Sequence, residues 1–245
     1  MTVKSPSLKG RGDICLYVPP LAKEAQNLPI YILLHGVYGS AWIWALKGGA
    51  HQTAQRLMDA GEIKPAIIAM PSDGLWGDGS AYFSHHDQSY DQWIVEDVPK
   101  AIKENITEAG SDSKLCIGGL SMGGYGALRL GAQFAEKFSA ISGHSSITEL
   151  EQMKLFVEEP IEEYTSFCKT PNVIDLMLQN KEILPELRFD CGNTDILIDA
   201  NRKLHEQLED ENIPHQYEEF PGGHEWPYWQ EHVAKSLKFF DTYSH

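Results

Sequence analysis

The sequence predicts an α/β fold built on a mostly parallel central sheet with helices on both faces. Two observations carry that expectation. Runs rich in branched apolar residues alternate with segments of helical period along most of the chain. A length of 245 residues, 42% hydrophobic and 22% charged, suits one large domain that buries a sizeable core without disulfides or metals.

Taken in order, Asp13 to Val18 reads as an early strand and Pro29 to Leu34 as an apolar central strand. His51 to Ala60 is amphipathic at helical spacing, and Ala66 to Met70 is the next strand. A loop rich in Gly, Asp, Ser and aromatics, Pro71 to Tyr90, leads into a helix expected from Asp91 to Ala109, acidic early and with Lys103 later. Lys114 to Ile117 is a short central strand, Met122 to Phe134 a helix, and Ser139 to Ser142 another strand. The stretch from Ser145 to Pro185 breaks the rhythm. It is acidic and helical, is punctuated by Pro160, Pro171 and Pro185, and lacks a convincing strand. It is expected to be a small helical cap, 145–185, inserted into a single domain spanning 1–245. Alternation then resumes with strands at Leu187 to Cys191 and His215 to Phe220 and helices at Ile196 to Glu211 and Glu225 to Phe240.

Between a strand, Leu115-Cys116-Ile117, and a helix lies Gly119-Leu120-Ser121-Met122-Gly123. A Ser on a tight strand-to-helix turn needs small neighbours two residues either side, because the backbone is strained and larger side chains would collide. Gly119 and Gly123 meet that need, and Gly118, Gly124 and Gly126 allow close helix-to-strand packing. The turn also sets the N–H of Met122 at a helix N-terminus, where it can stabilise an oxyanion. Ser121 is therefore the candidate nucleophile. With average Gly usage a G-x-S-x-G pattern arises by chance in roughly one such chain in ten, so its setting and its partners decide the matter.

A serine hydroxyl is a weak nucleophile at neutral pH and needs a His to take its proton and a carboxylate to orient that His, in the chain order Ser, acid, His. Of ten histidines, His224 stands out. It lies in Phe220-Pro221-Gly222-Gly223-His224-Glu225, after the last strand and before the last helix, where a ring can reach the carboxyl edge of the sheet. Asp195, just past the preceding strand, is the candidate acid; it is equally suited to capping the following helix, and Asp190 or Asp199 could serve instead. The second oxyanion donor is expected from Leu33-Leu34-His35-Gly36-Val37-Tyr38-Gly39, where Gly36 turns the N–H of Val37 toward the site. His35 reads as a residue that orders this loop. The doublet His85-His86 beside Asp87 reads as part of a solvated loop, with no third distant metal ligand evident. Trp42, Trp44, Trp76, Tyr82, Phe83, Trp226, Tyr228 and Trp229 fall in loops expected to border the site. Trp42, Trp44, Tyr82 and Trp226 are the candidate substrate contacts in a pocket for an acyl, aryl or sugar group.

A net charge of −15 opposes binding to phosphate backbones and anionic lipid surfaces, so neither nucleic acid nor membrane is an expected partner. The first ten residues lack the apolar core of a signal peptide, and no apolar run approaches membrane-spanning length, so a cytoplasmic location is expected. Cys15, Cys116, Cys168 and Cys191 are expected to be free thiols, Cys116 and Cys191 as small buried hydrophobes. No CxxC or Cys/His cluster suggests zinc, and no metal is expected. The oligomeric state is left open, a homo-oligomer included.

The chain resembles the esterase D superfamily of α/β-hydrolases, which includes tributyrin, feruloyl and acetyl-xylan esterases, S-formylglutathione hydrolases and mycolyltransferases. The likeness spans most of the chain. It rests on Leu34-His35-Gly36 with Trp42, Ile94-Val95-Glu96-Asp97-Val98-Pro99, Gly119-Leu120-Ser121-Met122-Gly123-Gly124-Tyr125-Gly126-Ala127, Asp190-Cys191-Gly192 with Asp195, and Pro221-Gly222-Gly223-His224-Glu225-Trp226. Where S-formylglutathione hydrolases usually carry Ser-Gly-Leu-Thr-Cys, this chain has His35-Gly36-Val37-Tyr38-Gly39, and it looks closer to the tributyrin esterase branch. The resemblance implies a serine carboxylesterase acting on short acyl esters, with acetylated or feruloylated carbohydrate as a natural source, and no cofactor. An S-formylglutathione hydrolase-like thioesterase or acyltransferase is the alternative within enzymes. A catalytically silent binding protein is the alternative outside them.

Overall fold

Strand and helix alternate through the structure, a computed structural model that describes residues 1–20, 25–165 and 170–245. The first half comprises β1 (Thr2–Ser5), β2 (Gly10–Tyr17), β3 (Ile30–Leu34), α1 (Ile43–Leu46), α2 (Ala50–Asp59), β4 (Ile67–Pro71), a small hairpin of β5 (Ser84–His85) and β6 (Gln88–Ser89), α3 (Tyr90–Gln92) and α4 (Val98–Asn105). The second comprises β7 (Leu115–Leu120), α5 (Met122–Gln133), β8 (Ala140–His144), α6 (Ile161–Thr165), α7 (Val173–Gln179), β9 (Glu186–Gly192), α8 (Ile198–Asp210), β10 (Gln216–Phe220) and α9 (Trp226–Ser244).

Eight strands form one sheet in the order β1-β2-β4-β3-β7-β8-β9-β10. From β4 to β10 every pairing is parallel, while β2 joins β4 and β1 joins β2 antiparallel. The chain runs outward from β3 to β4, then crosses back over β3 to β7. The carboxyl ends of β3 and β7 are therefore the point where strand order reverses, and in open α/β sheets a crevice opens there. Leu34 is in register with Gly119, so the loop after β3 and the turn after β7 emerge side by side.

β3 shows how the core is divided. Ile30, Ile32 and Leu34 enter one apolar cluster, and Tyr31 and Leu33 enter the other, as the two-residue period of a strand requires. The first cluster is closed by Ile102 of α4, Leu128 of α5, Met177 of α7 and Leu204 and Leu208 of α8. The second is closed by Ala54 and Leu57 of α2 and by Val233, Leu237 and Phe240 of α9. Among the described residues, no helix is long and apolar enough to cross a membrane.

Three departures from the expected elements have local causes. The helix expected over 91–109 is three pieces: α3, a π-helical turn over Trp93–Asp97, and α4. Pro99 has no N–H for the carbonyl four residues back and its ring would collide there, and the widened turn falls immediately before it. α4 then stops at Asn105, where Ile106 turns extended and the Asn105 amide bonds back to the Ala101 carbonyl at 2.8 Å. The short β1, whose residues alternate exposed and half-buried until Ser5, carries too little apolar pattern to be read from sequence. Between 145 and 185 the described residues form a 3₁₀ segment, Leu150–Leu155, together with α6, α7 and a second short 3₁₀ turn, with no strand among them.

Candidate active site

The turn after β7 is held open by the absence of two side chains. A Cβ on Gly119 would lie 2.3 Å from the Gly123 carbonyl oxygen, and one on Gly123 would lie 2.2 Å from that of Leu34. β3, β7 and the first turn of α5 meet at this point only because both residues are glycine. Between them Ser121 adopts φ 54°, ψ −120°, a conformation that costs a non-glycine residue on the order of 1–3 kcal/mol. The surroundings hold it there. The Ser121 N–H donates to the His144 carbonyl at 2.9 Å, and its own carbonyl accepts from Tyr125 N–H at 2.9 Å.

A hydrogen-bonded series runs from this serine to a buried carboxylate. Ser121 Oγ is 2.9 Å from His224 Nε2, and His224 Nδ1 is 3.0 Å from each oxygen of Asp195. Ser121 and Asp195 are buried, at 2% and 3% exposure, while His224 is reached from the cleft. Asp195 also accepts the Leu197 N–H at 2.8 Å on Oδ1, so one carboxylate both shapes the entry to α8 and faces the imidazole. The two other carboxylates open from sequence lie elsewhere. Asp199 is 94% exposed at its side chain beside Arg202, and Asp190 faces a different histidine.

Met122 is the first residue of α5, so its N–H has no partner within the helix and points from a helix N-terminus. Val37 lies on the neighbouring loop and lines the same cleft as Ser121. That loop is fastened by His35, as its sequence suggests. His35 Nδ1 donates to the Gly36 carbonyl at 2.7 Å, and Nε2 accepts the Asp73 N–H at 3.1 Å, which fixes the Nδ1–H tautomer. Asp73 in turn accepts the N–H groups of Leu75 and Ser80, tying the loops after β3 and β4 together.

The cleft encloses about 560 Å³ and its walls include Ile43, Leu120, Phe156, Trp226 and Trp229. Of the four expected substrate contacts, Trp226 lines it. Trp42 is half exposed and does not line it, and two others are corrected to packing roles. Trp44 is buried, donating Nε1–H to the Leu34 carbonyl at 2.9 Å and bracing Trp226 edge-on at 5.8 Å. Tyr82 is buried with its hydroxyl on the His35 carbonyl at 2.9 Å. Phe156 is not legible in the sequence; it comes from the 145–185 segment and stacks on the His224 ring, centroids 5.0 Å apart at 27°.

His85 also departs from expectation: it is buried rather than solvated. Burial pushes its pKa down to about 4, and its ring packs on Trp76 at 4.4 Å and donates to the Ser80 carbonyl at 3.1 Å. His86 does remain at the surface, beside Glu163 at 3.4 Å. Cys15, Cys116 and Cys191 are free, and burial pushes the thiols of Cys116 and Cys191 up and away from reactivity. Cys168 lies outside the described residues.

Behind the site sits a second His–Asp pair that sequence reasoning misses. His144 Nδ1 is 2.9 Å from Asp190 Oδ2, His144 Nε2 is 2.6 Å from Ser236 Oγ, and Arg188 and the Tyr228 hydroxyl reach Asp190 at 2.8 Å each. Burial by itself would raise the Asp190 carboxyl, but His144, Arg188 and Tyr228 hold it well below the usual carboxylate range. The folded value thus lies under the unfolded one, about 3.9. The stabilisation is present above that unfolded value and is lost only as pH falls through the folded one. Asp190→Asn should cost about 3 kcal/mol, because Arg188 loses a buried partner. Thermal unfolding at pH 7 should then show a Tm lower by about 6–12 °C; an unchanged Tm would contradict this account.

The Esterase family model, described as "Putative esterase", matches residues 5–240. An acetyl esterase of Caldicellulosiruptor saccharolyticus is 25% identical over 240 residues, covering 90% of this chain and 86% of that protein. Among solved structures, a ferulic acid esterase superposes with a TM-score of 0.85 at 24% identity, over 99% of this chain and 96% of the other. An S-formylglutathione hydrolase from Agrobacterium tumefaciens does so at 0.85 with 18% identity, over 100% and 94%. At these identities the two superpositions speak to the fold alone, and that fold is the α/β-hydrolase fold expected from the sequence.

Proposed function

The chain belongs to the Esterase family and is a carboxylesterase; on that premise we propose that Ser121, His224 and Asp195 form its catalytic triad. The observation that carries the assignment is the unbroken series from Ser121 Oγ through His224 to the buried Asp195 carboxylate. Ser121 Oγ attacks the ester carbonyl as His224 Nε2 takes its proton, and the imidazolium is stabilised by Asp195 at Nδ1. The N–H groups of Met122 and Val37 receive the oxyanion. Collapse breaks the C–O bond of the ester, His224 returns the proton to the leaving alcohol, and water repeats the sequence to release the acid and free Ser121. No cofactor enters any step.

The substrates we assign are short acyl esters, with acetyl or feruloyl carbohydrate esters as the natural class. Support comes from the apolar walls of Ile43, Leu120, Phe156 and Trp226 around Ser121, and from the name carried by the acetyl esterase. In this reading residues 1–245 act as one domain and 145–185 as its cap, with Phe156 as the cap's contribution to the site. Free thiols at Cys15, Cys116 and Cys191 favour a reducing, cytoplasmic setting.

A panel of acetyl, butyryl, octanoyl and feruloyl esters, with acetylated xylan and S-formylglutathione, tests the substrate. The expected result is a kcat/KM at least about tenfold higher for acetyl or feruloyl groups than for octanoyl. Preference for octanoyl would overturn the short-chain reading, and preference for S-formylglutathione would move the protein to thioester chemistry. Phe156→Ala should lower kcat/KM for aryl esters about 3–10-fold, the worth of one aromatic contact, measured on p-nitrophenyl acetate. No change would place Phe156 outside the substrate path.

A further inference from the structure

Away from the cleft, the fold assembles a set of late-metal donors that the sequence spacing does not advertise. We propose that His205, Glu209 and His215 form a zinc site that clamps the C-terminal end of α8 to the entry of β10. His205 and Glu209 are four residues apart on α8 and so share one helix face. His215 lies immediately before β10. One donor atom from each lies within 4.8 Å of the others, with His205 Nδ1 2.8 Å from His215 Nε2 and the latter 4.0 Å from Glu209 Oε1.

The loop between them is rigid. Asn212 adopts φ 52°, its N–H bonds the Glu209 carbonyl at 2.9 Å, and the Ile213 N–H bonds the Leu208 carbonyl at 2.9 Å. Those are the paired bonds of a Schellman helix end, completed by burial of Leu208 and Ile213, with Pro214 limiting the chain beyond. The rings are held as well. His205 stacks on Tyr217 at 4.7 Å and His215 on Phe189 at 5.7 Å.

The donor chemistry suits zinc. His215 donates Nδ1–H to the Ile213 carbonyl at 2.8 Å, which leaves its Nε2 lone pair toward His205, and its side chain is 0% exposed. A ring nitrogen oriented by a backbone carbonyl is how proteins prepare a histidine ligand. Two imidazole nitrogens and one carboxylate oxygen match zinc rather than magnesium or calcium, which prefer oxygen sets. A tetrahedral centre with ligands at ~2.1 Å spaces them ~3.4 Å apart. The histidines must part slightly and Glu209 close in, which an exposed carboxylate on a helix end can do. His205 moves its proton from Nδ1 to Nε2, both facing nitrogens ligate, and water takes the fourth position. The site lies at the ends of α8 and β10 remote from Asp195 and His224, so its effect is on stability.

The test uses untagged, chelator-treated full-length protein titrated with ZnCl₂ by calorimetry, with thermal unfolding in parallel; neither readout depends on catalysis. One equivalent of zinc should bind, and at ~100 times Kd the Tm should rise by about 5–10 °C, with no shift from MgCl₂ or CaCl₂. His205→Asn and Glu209→Gln should each weaken binding at least about tenfold. His215→Gln should abolish it; if burial makes that variant fail to fold, the His205→Asn and Glu209→Gln variants decide. Absence of binding, or binding unchanged in both His205→Asn and Glu209→Gln, overturns the proposal.

Discussion

Ser121→Ala is expected to lower kcat/KM for p-nitrophenyl acetate by at least about a thousandfold, since loss of the proposed nucleophile leaves only binding and oxyanion stabilisation. The fold should not respond. Alanine keeps the Cβ, so the backbone strain at φ 54° is the same in both proteins, and the substitution removes only the Oγ–Nε2 hydrogen bond to His224. Equal thermal stability with lost activity, and loss of labelling by a serine-directed fluorophosphonate, is therefore the expected combination. Activity near wild type would remove Ser121 from the mechanism, while an inactive, unlabelled wild-type protein would point to a silent binding role.

Asp195→Asn should lower kcat by about a thousandfold to ten-thousandfold. The cause is a tautomer. Leu197 N–H already claims an oxygen at this position at 2.8 Å, so an asparagine turns its carbonyl toward Leu197 and its amide N–H₂ toward His224 Nδ1. The imidazole then carries its proton on Nε2, facing Ser121, where it cannot take another. Asp190→Asn provides the contrast, because Asp190 serves His144 and Arg188 and its loss should be read in Tm. A kcat within about tenfold of wild type for Asp195→Asn would mean that another group orients His224.

Much of this site is written locally. Strand, Gly-x-Ser-x-Gly and helix are neighbours in the chain, and the collisions that demand Gly119 and Gly123 come from a turn only a few residues long. The loop positions of Asp195 and His224 follow from the order of strands, so they too are written in the chain. Trp44 and Tyr82 escape such a reading for a corresponding reason. Sequence shows that an aromatic falls in a loop near the sheet's edge, but only the packed loop shows that its polar atom is spent on Leu34 or His35 carbonyls.

Periodicity, turn chemistry and glycine spacing act over a few residues, which is why the α/β alternation, the Ser121 turn, the order of the three triad candidates and the break in the alternation over 145–185 are all legible in the chain. Which side chains meet is settled over much longer distances. His224 reaches Ser121 across 103 positions and His144 reaches Asp190 across 46. Phe156 reaches His224 from the 145–185 segment, and His215 is folded back onto His205 by a helix end. Such contacts depend on which strand edges the crossover connection brings level, and on a sheet where Leu34 pairs with Gly119 the loops that follow have no choice but to share one cleft.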